Sequence, residues 1–330
     1  MTMQKTLRLA LAGIAAALIG AAPIAARAQA DDYPVKPVRI VVPFAPGGST
    51  DQLARLVAER LSHAWNRQFV VENRAGAGGN IGAATVATAE PDGHTLVMGS
   101  IGTHATNSLI YPKMPYDTVA DFAPVTQVAN VPLVLVVHPT LEVKSVSELV
   151  ALLKSKPGQL NYASGGNGAS QHLAGELFKY LTGTEVQHVP YKGSANALPD
   201  LLAGRMTYMF ADLPLVLPYV KEGRLRALAI AGRNRIAQLA DVPTVAEAGV
   251  KGYEASAWYA LFAPAKTPAA IIDKLQAGIA RELRTPEAQR RLDTMGVEPV
   301  LGTPADLRRF QASEIARWGE VVKAAKIHVD

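Results

Sequence analysis

The sequence has no cysteine among its 330 residues, which excludes disulfides, thiolate nucleophiles, thiolate-held metals and lipid carried on a cysteine. Past the N-terminal segment there is no run of Lys or Arg. Setting aside Lys5, Arg8 and Arg27 leaves 30 cations against 28 acids, a formal net of +2. Neither nucleic acid nor an anionic membrane surface is expected as a partner. After residue 30 no apolar run is long enough to cross a bilayer. Neither H-E-x-x-H nor G-x-S-x-G occurs, and the 7 histidines are scattered, so no metal site and no catalytic residue is expected.

The first 30 residues are read as a signal peptide. Lys5 and Arg8 form a positive n-region, Leu9 to Ala26 is uncharged and apolar, and A-x-A cleavage options end at Ala28 and Ala30. A retained anchor is the rival reading, and Pro23 with the Ala-rich run weakens it. The mature chain is expected in the periplasm, without lipid.

From there, short apolar runs alternate with helical patterns. Val38–Val42, Phe69–Glu72, Thr95–Gly99, Leu160–Ala163, Val186–Pro190, Met206–Phe210 and Leu225–Ala231 read as strands. Thr50–Ala64, Ile81–Ala89, Val146–Ser155, Ser170–Leu181, Ala195–Ala203 and Leu213–Glu222 read as helices, and the chain from Pro268 to Lys326 is helical almost throughout. This is an α/β pattern with sheet covered on both faces. Asp121–Pro139 and Glu254–Ala265 break the alternation as long extended segments, and they suggest crossovers between two lobes. A single domain with one large sheet is the alternative.

The strand-to-helix turns are alike: "PGGSTDQ", "GAGGNIG", "GSIGTHATN", "SGGNGASQH" and "YKGSAN". In parallel α/β sheets these turns face the ligand. Capping explains part of the pattern, because Ser49 to Gln52 spells a capping box and Asn80 and Asn167 suit N-caps. Capping does not require the pairs Gly47-Gly48 and Gly165-Gly166, which permit positive φ and close approach to the backbone. Amides at helix starts bind anions. A P-loop is excluded because no Lys follows the glycines. "GAGGNIG" misses the dinucleotide spacing by one residue, so no cofactor is expected. His172 and Glu176 could share a metal but read better as a solvated pair. Ser164, Ser170 and His172 lack a carboxylate to form a triad. A carboxylate held by amides and hydroxyls, without chemistry, fits best.

The stretches "YPVKPVRIVVPFAPGGSTDQLARLVAERL", "VVENRAGAGGNIGA", "YASGGNGASQHLAGELF", "HVPYKGSANALPDLLAGR" and "VPTVAEAGVKGYEASAWYALFAPA" together resemble the extracytoplasmic solute receptors of the Bordetella uptake gene family. These serve tripartite tricarboxylate transporters, and the likeness runs from Tyr33 to the C-terminus. It implies a two-lobed, type II-like periplasmic binding fold with two parallel or mixed sheets, flanked by helices and joined by two crossover strands. Lobe 1 would be residues 31–131 and 255–330, and lobe 2 residues 132–254. The ligand would be one small carboxylate, bound by a monomer that passes it to membrane subunits.

The resemblance also implies the site. One carboxylate would be held through backbone groups and two ordered waters at the turn from Phe44 to Ser49, and Phe44, Ala45, Gly47, Gly48, Ser49 and Asp51 are its candidate ligand-binding residues. The facing turn would supply Ser164, Gly165, Asn167, Gly168 and Ser170. Thr103, Tyr191, Lys192, Asp212 and Trp258 are candidates for the far end. A secreted α/β hydrolase or oxidoreductase acting on a small carboxylate is the alternative function.

Overall fold

The computed structural model describes residues 32–329, so the expected signal peptide lies outside the described residues. Two mixed sheets form the frame of two lobes. The first has six strands: β1 (Val38–Val42), β2 (Phe69–Asn73), β3 (Thr95–Ser100), β4 (Phe122–Val131), β10 (Ala257–Pro264) and β11 (Glu298–Pro299). The second has five: β5 (Leu133–Val137), β6 (Asn161–Ser164), β7 (Gln187–Pro190), β8 (Tyr208–Asp212) and β9 (Arg226–Ile230).

The sheets share one plan. In the first, β2, β1 and β3 are parallel, β10 runs antiparallel beside β3, and β4 follows, in the order β11-β4-β10-β3-β1-β2. In the second, β7, β6 and β8 are parallel, β5 runs antiparallel beside β8, and β9 follows. The antiparallel strand of each sheet enters from the other lobe. β4 ends at Val131 and, after Pro132, β5 opens the second sheet; β10 returns to the first after β9. Pro132 fits the gap because it brings no amide to either ladder.

The strands are nearly continuous runs of Val, Ile, Leu and Ala because helices cover both faces; all five residues of β5 and all eight of β10 are buried. The helices are α1 (Ser49–Trp65), α2 (Asn80–Ala87), α3 (Asn107–Ile110), α4 (Val146–Ser155), α5 (Ser170–Thr182), α6 (Ser194–Leu202), α7 (Leu213–Lys221), α8 (Ala269–Leu283), α9 (Pro286–Met295) and α10 (Pro304–Ala324). A π-helical turn, Gly102–Thr106, precedes α3. The sequence reading contained neither that turn, nor α3, nor β11.

All three expected caps are overturned. No box forms at Ser49: α1 starts from Gly48 without a side-chain cap. Instead Asp51 accepts from the Gly47 amide at 3.0 Å, and Gln52 Nε2 donates to the Gly47 carbonyl at 3.0 Å. Asn80 is the first residue of α2, not its cap, and its Oδ1 accepts from Asn107 Nδ2 at 2.6 Å and Tyr116 Oη at 2.9 Å. Asn167 does not cap α5, which starts after Ala169. At Asn80 tertiary donors outcompete the local amides. The full capping box stands at Thr303 and Asp306, opening α10.

Candidate functional site

Each parallel strand ends at the interface between the lobes, so β1, β3, β6, β7 and β8 deliver their turns to one place. A cavity opens there. Phe44, Ala45, Gly48 and Thr50 line it from the first turn, Ser100 and Tyr259 from β3 and β10, and Gly165, Ser170, Gln171 and Ser194 from the second lobe. An outer compartment beside it is lined by Gly78, Gly166, Asn167, Tyr191 and Lys192 among others.

The first turn is held from behind. Asp51 is buried and takes the Gly47 amide, Arg55 Nε at 2.9 Å and Asn73 Nδ2 at 2.9 Å. Burial pushes the Asp51 carboxyl up, but Arg55, the Gly47 amide and Asn73 together hold it below the usual range. Asn73 Nδ2 also donates to the Phe44 carbonyl at 3.1 Å. With its carbonyl and carboxylate ties made, the turn presents the opening amides of α1, which have no intrahelical acceptor.

The lobes meet closely around the cavity. The Ala45 amide donates to the Lys192 carbonyl at 2.9 Å. A Cβ on Gly48 would stand 2.9 Å from Ser194 Oγ, and one on Gly165 would stand 2.9 Å from the Ser194 amide nitrogen. Of the first glycine pair only Gly47 has positive φ, +91°, while Gly48 is extended at −78°. In the second pair only Gly166 does. The expectation of positive φ thus holds at one member of each pair; the other member is small because a neighbour stands against it.

Asp212 is a second buried carboxylate at the site. It ends β8 with 0 % of its surface exposed and sits behind the cavity wall. Oδ1 accepts from Gln171 Nε2 at 2.9 Å, and Oδ2 from Tyr259 Oη at 3.1 Å, so it ties the two lobes together. The Ser49 and Ser194 hydroxyls face the same carboxylate. Burial raises its pKa above the usual value against those four groups.

Several expected site residues lie elsewhere. Trp258 faces away from the cavity: its Nε1 donates to Glu314 Oε2 at 3.0 Å and its ring packs edge-on against Phe310. Successive strand residues point to opposite faces, so it is Tyr259 that reaches the cleft. The Thr103 hydroxyl is fully buried and bonded to the Ser100 amide at 3.0 Å and His104 Nδ1 at 2.9 Å. The Ser164 hydroxyl serves its own turn, bonding the Gly166 amide at 3.0 Å and His188 Nε2 at 2.6 Å. Gly168 packs on Asn107, and its amide donates to His172 Nδ1 at 3.1 Å. His172 and Glu176 are not paired, since Glu176 takes Tyr162 Oη and Lys179. Among the described residues no cluster suits a metal ion.

Thr50, Ser100, Gln171, Ser194 and Tyr259 were missed. Four of them stand in turns singled out by their glycines, and Tyr259 was one residue from the Trp that was chosen.

Residues 53–327 match the family "Tripartite tricarboxylate transporter family receptor". BugT of Bordetella pertussis is 40 % identical over 322 residues, covering 97 % of this chain and 98 % of that one. The chain belongs to this receptor family. The solved R. palustris Rpa4515 with adipate is 43 % identical, with a TM-score of 0.88 over 90 % of this chain and 99 % of that one. MatC from Rhodopseudomonas palustris with bound malate is 36 % identical, with a TM-score of 0.85 over 88 % and 100 %. The chain is thus a two-lobed solute-binding receptor of the same fold.

Proposed function

We infer that this receptor works in the periplasm as a non-lipidated monomer and captures one small carboxylate between its lobes. Residues 31–131 with 255–330 form one lobe and residues 132–254 the other. The ligand, a di- or tricarboxylic acid or a related solute, is passed to the membrane subunits of a tripartite tricarboxylate transporter unchanged. The relatives bound to adipate and malate support the ligand class.

One observation carries the reading. The N-termini of α1 and α5, from opposite lobes, open onto one cavity whose wall has hydroxyls and amides but no Lys or Arg among the described residues. Helix starts supply partial positive charge, and amides accept a carboxylate without a cation. Of the candidates, Phe44, Ala45 and Gly48 line the first wall, with Gly47 and Ser49 in the same turn. Gly165 and Ser170 form the second, Asn167, Tyr191 and Lys192 the rim, and Asp51 and Asp212 stand behind them.

The test is a thermal-shift and calorimetric screen of di- and tricarboxylates, aromatic acids and amino acids, with each solute assayed afterwards for turnover. One-to-one binding without product is expected. Turnover, or a folded, ligand-free protein that takes none of them, overturns the reading.

A further inference from the structure

Two side chains of the cavity, Gln171 and Tyr259, turn their hydrogens toward Asp212. Gln171 is 3 % exposed, and its Nε2 is committed to Asp212 Oδ1 at 2.9 Å. That bond fixes the amide orientation, because the flipped form would set oxygen against an acceptor-only carboxylate. Gln171 Oε1 is therefore the atom left over, and it has no partner. It lies on the cavity side, 3.2 Å from where a Gly165 Cβ would be. Tyr259 likewise spends its proton on Asp212 Oδ2, and the Ser49 and Ser194 hydroxyls face the same carboxylate.

The buried acid thus orders Gln171 so that it presents its oxygen, and not its NH2 group, to the cavity. A buried acceptor left without a donor is unfavourable, so a ligand that supplies the donor gains affinity. Resting on the carboxylate reading above, we propose that Gln171 Oε1, held in place by Asp212, is a specificity determinant that selects carboxylates bearing a hydrogen-bond donor, a hydroxyl or an ammonium group, over plain acids of the same length. Asp212 is a positioning residue and Gln171 the contact.

Calorimetry on the intact chain decides this with matched sets: succinate against malate and aspartate, glutarate against 2-hydroxyglutarate and glutamate, adipate against 2-hydroxyadipate and 2-aminoadipate. At whichever length binds, the better donor-bearing acid is expected to be at least about tenfold tighter than the plain one. Gln171→Met, which has a similar volume and no strong acceptor, should bring that ratio to within about twofold. Asp212→Asn, which lets the amides and hydroxyls reorient, should lower it as well. Should either variant fail to fold, the parent ratio alone decides. Plain acids binding as tightly as their donor-bearing partners, or an unchanged ratio in folded Gln171→Met, overturns the proposal and leaves the carboxylate reading standing. Binding of no acid at all removes both.

Discussion

Gly48 joins backbone geometry to ligand capture. Its φ of −78° suits any residue, yet a side chain there would press on Ser194 Oγ of the other lobe at 2.9 Å. Gly48→Val should therefore fold and keep its melting temperature within a few degrees, while binding weakens at least about tenfold because the lobes no longer meet. Unchanged affinity by calorimetry would show that closure tolerates the bulk. Trp258 makes the opposite case. Its bond to Glu314 lies in the core of the first lobe, and Glu314 is itself buried. Trp258→Phe should cost about 1–3 kcal/mol in urea unfolding, as the carboxylate loses a donor. Any ligand-dependent emission should survive in that variant; its loss would place Trp258 at the cleft after all. The glycine turns were legible in the sequence because small residues before a helix start are rare without a reason. The choice of Trp258 over Tyr259 was not, because the phase of a strand is set by the sheet it joins.

At the scale of elements, the turn from β6 into α5 rests on two neutral histidines. His172 stacks on His188 at 4.1 Å, takes the Gly168 amide, and is 5 % exposed. Burial, with Lys179 nearby, lowers His172 to about 4, and burial, with His172 beside it, lowers His188 to about 3. In the unfolded chain both return to about 6.5. The unfolded state then binds more protons, so stability is complete above about pH 6.5 and is lost as pH falls toward the folded values. The buried His172 contributes up to about 1.4 kcal/mol per pH unit in that window, and the partly exposed His188 less. Urea unfolding between pH 7 and 5 should show the loss, and His188→Gln should flatten it. An equal slope in parent and variant would place the titration elsewhere. The sequence showed the element but not this pairing, since His172 and His188 lie on different elements and meet only when α5 packs over β6 and β7.

For the whole molecule, the inserted strands join the two lobes. Ligand at about 100 times its dissociation constant should add about 2.7 kcal/mol of stability. Across the cleft the described ties include the Ala45 amide to Lys192 and Tyr259 Oη to Asp212. Tyr259→Phe removes one and leaves a buried carboxylate short of a donor, so the ligand-free protein should sample a more open form. X-ray scattering should then give a larger radius of gyration for this variant than for the parent, with ligand narrowing the difference. Equal radii without ligand would show that this tie does not govern closure.

The sequence by itself determined the α/β alternation, the extended crossover segments and the glycine turns that carry the site. Each is written in local apolar runs and small residues that have few other uses. Tertiary structure alone decided which side chains face the cavity. It turned Tyr259 inward and Trp258 outward, took Ser164 and Thr103 into their own turns, and set Asp212 behind the wall with Gln171 in front. The physical reason is that a strand's face is settled by the sheet it joins, and the orientation of the Gln171 amide by Asp212, a group distant in the chain that only the fold brings to it.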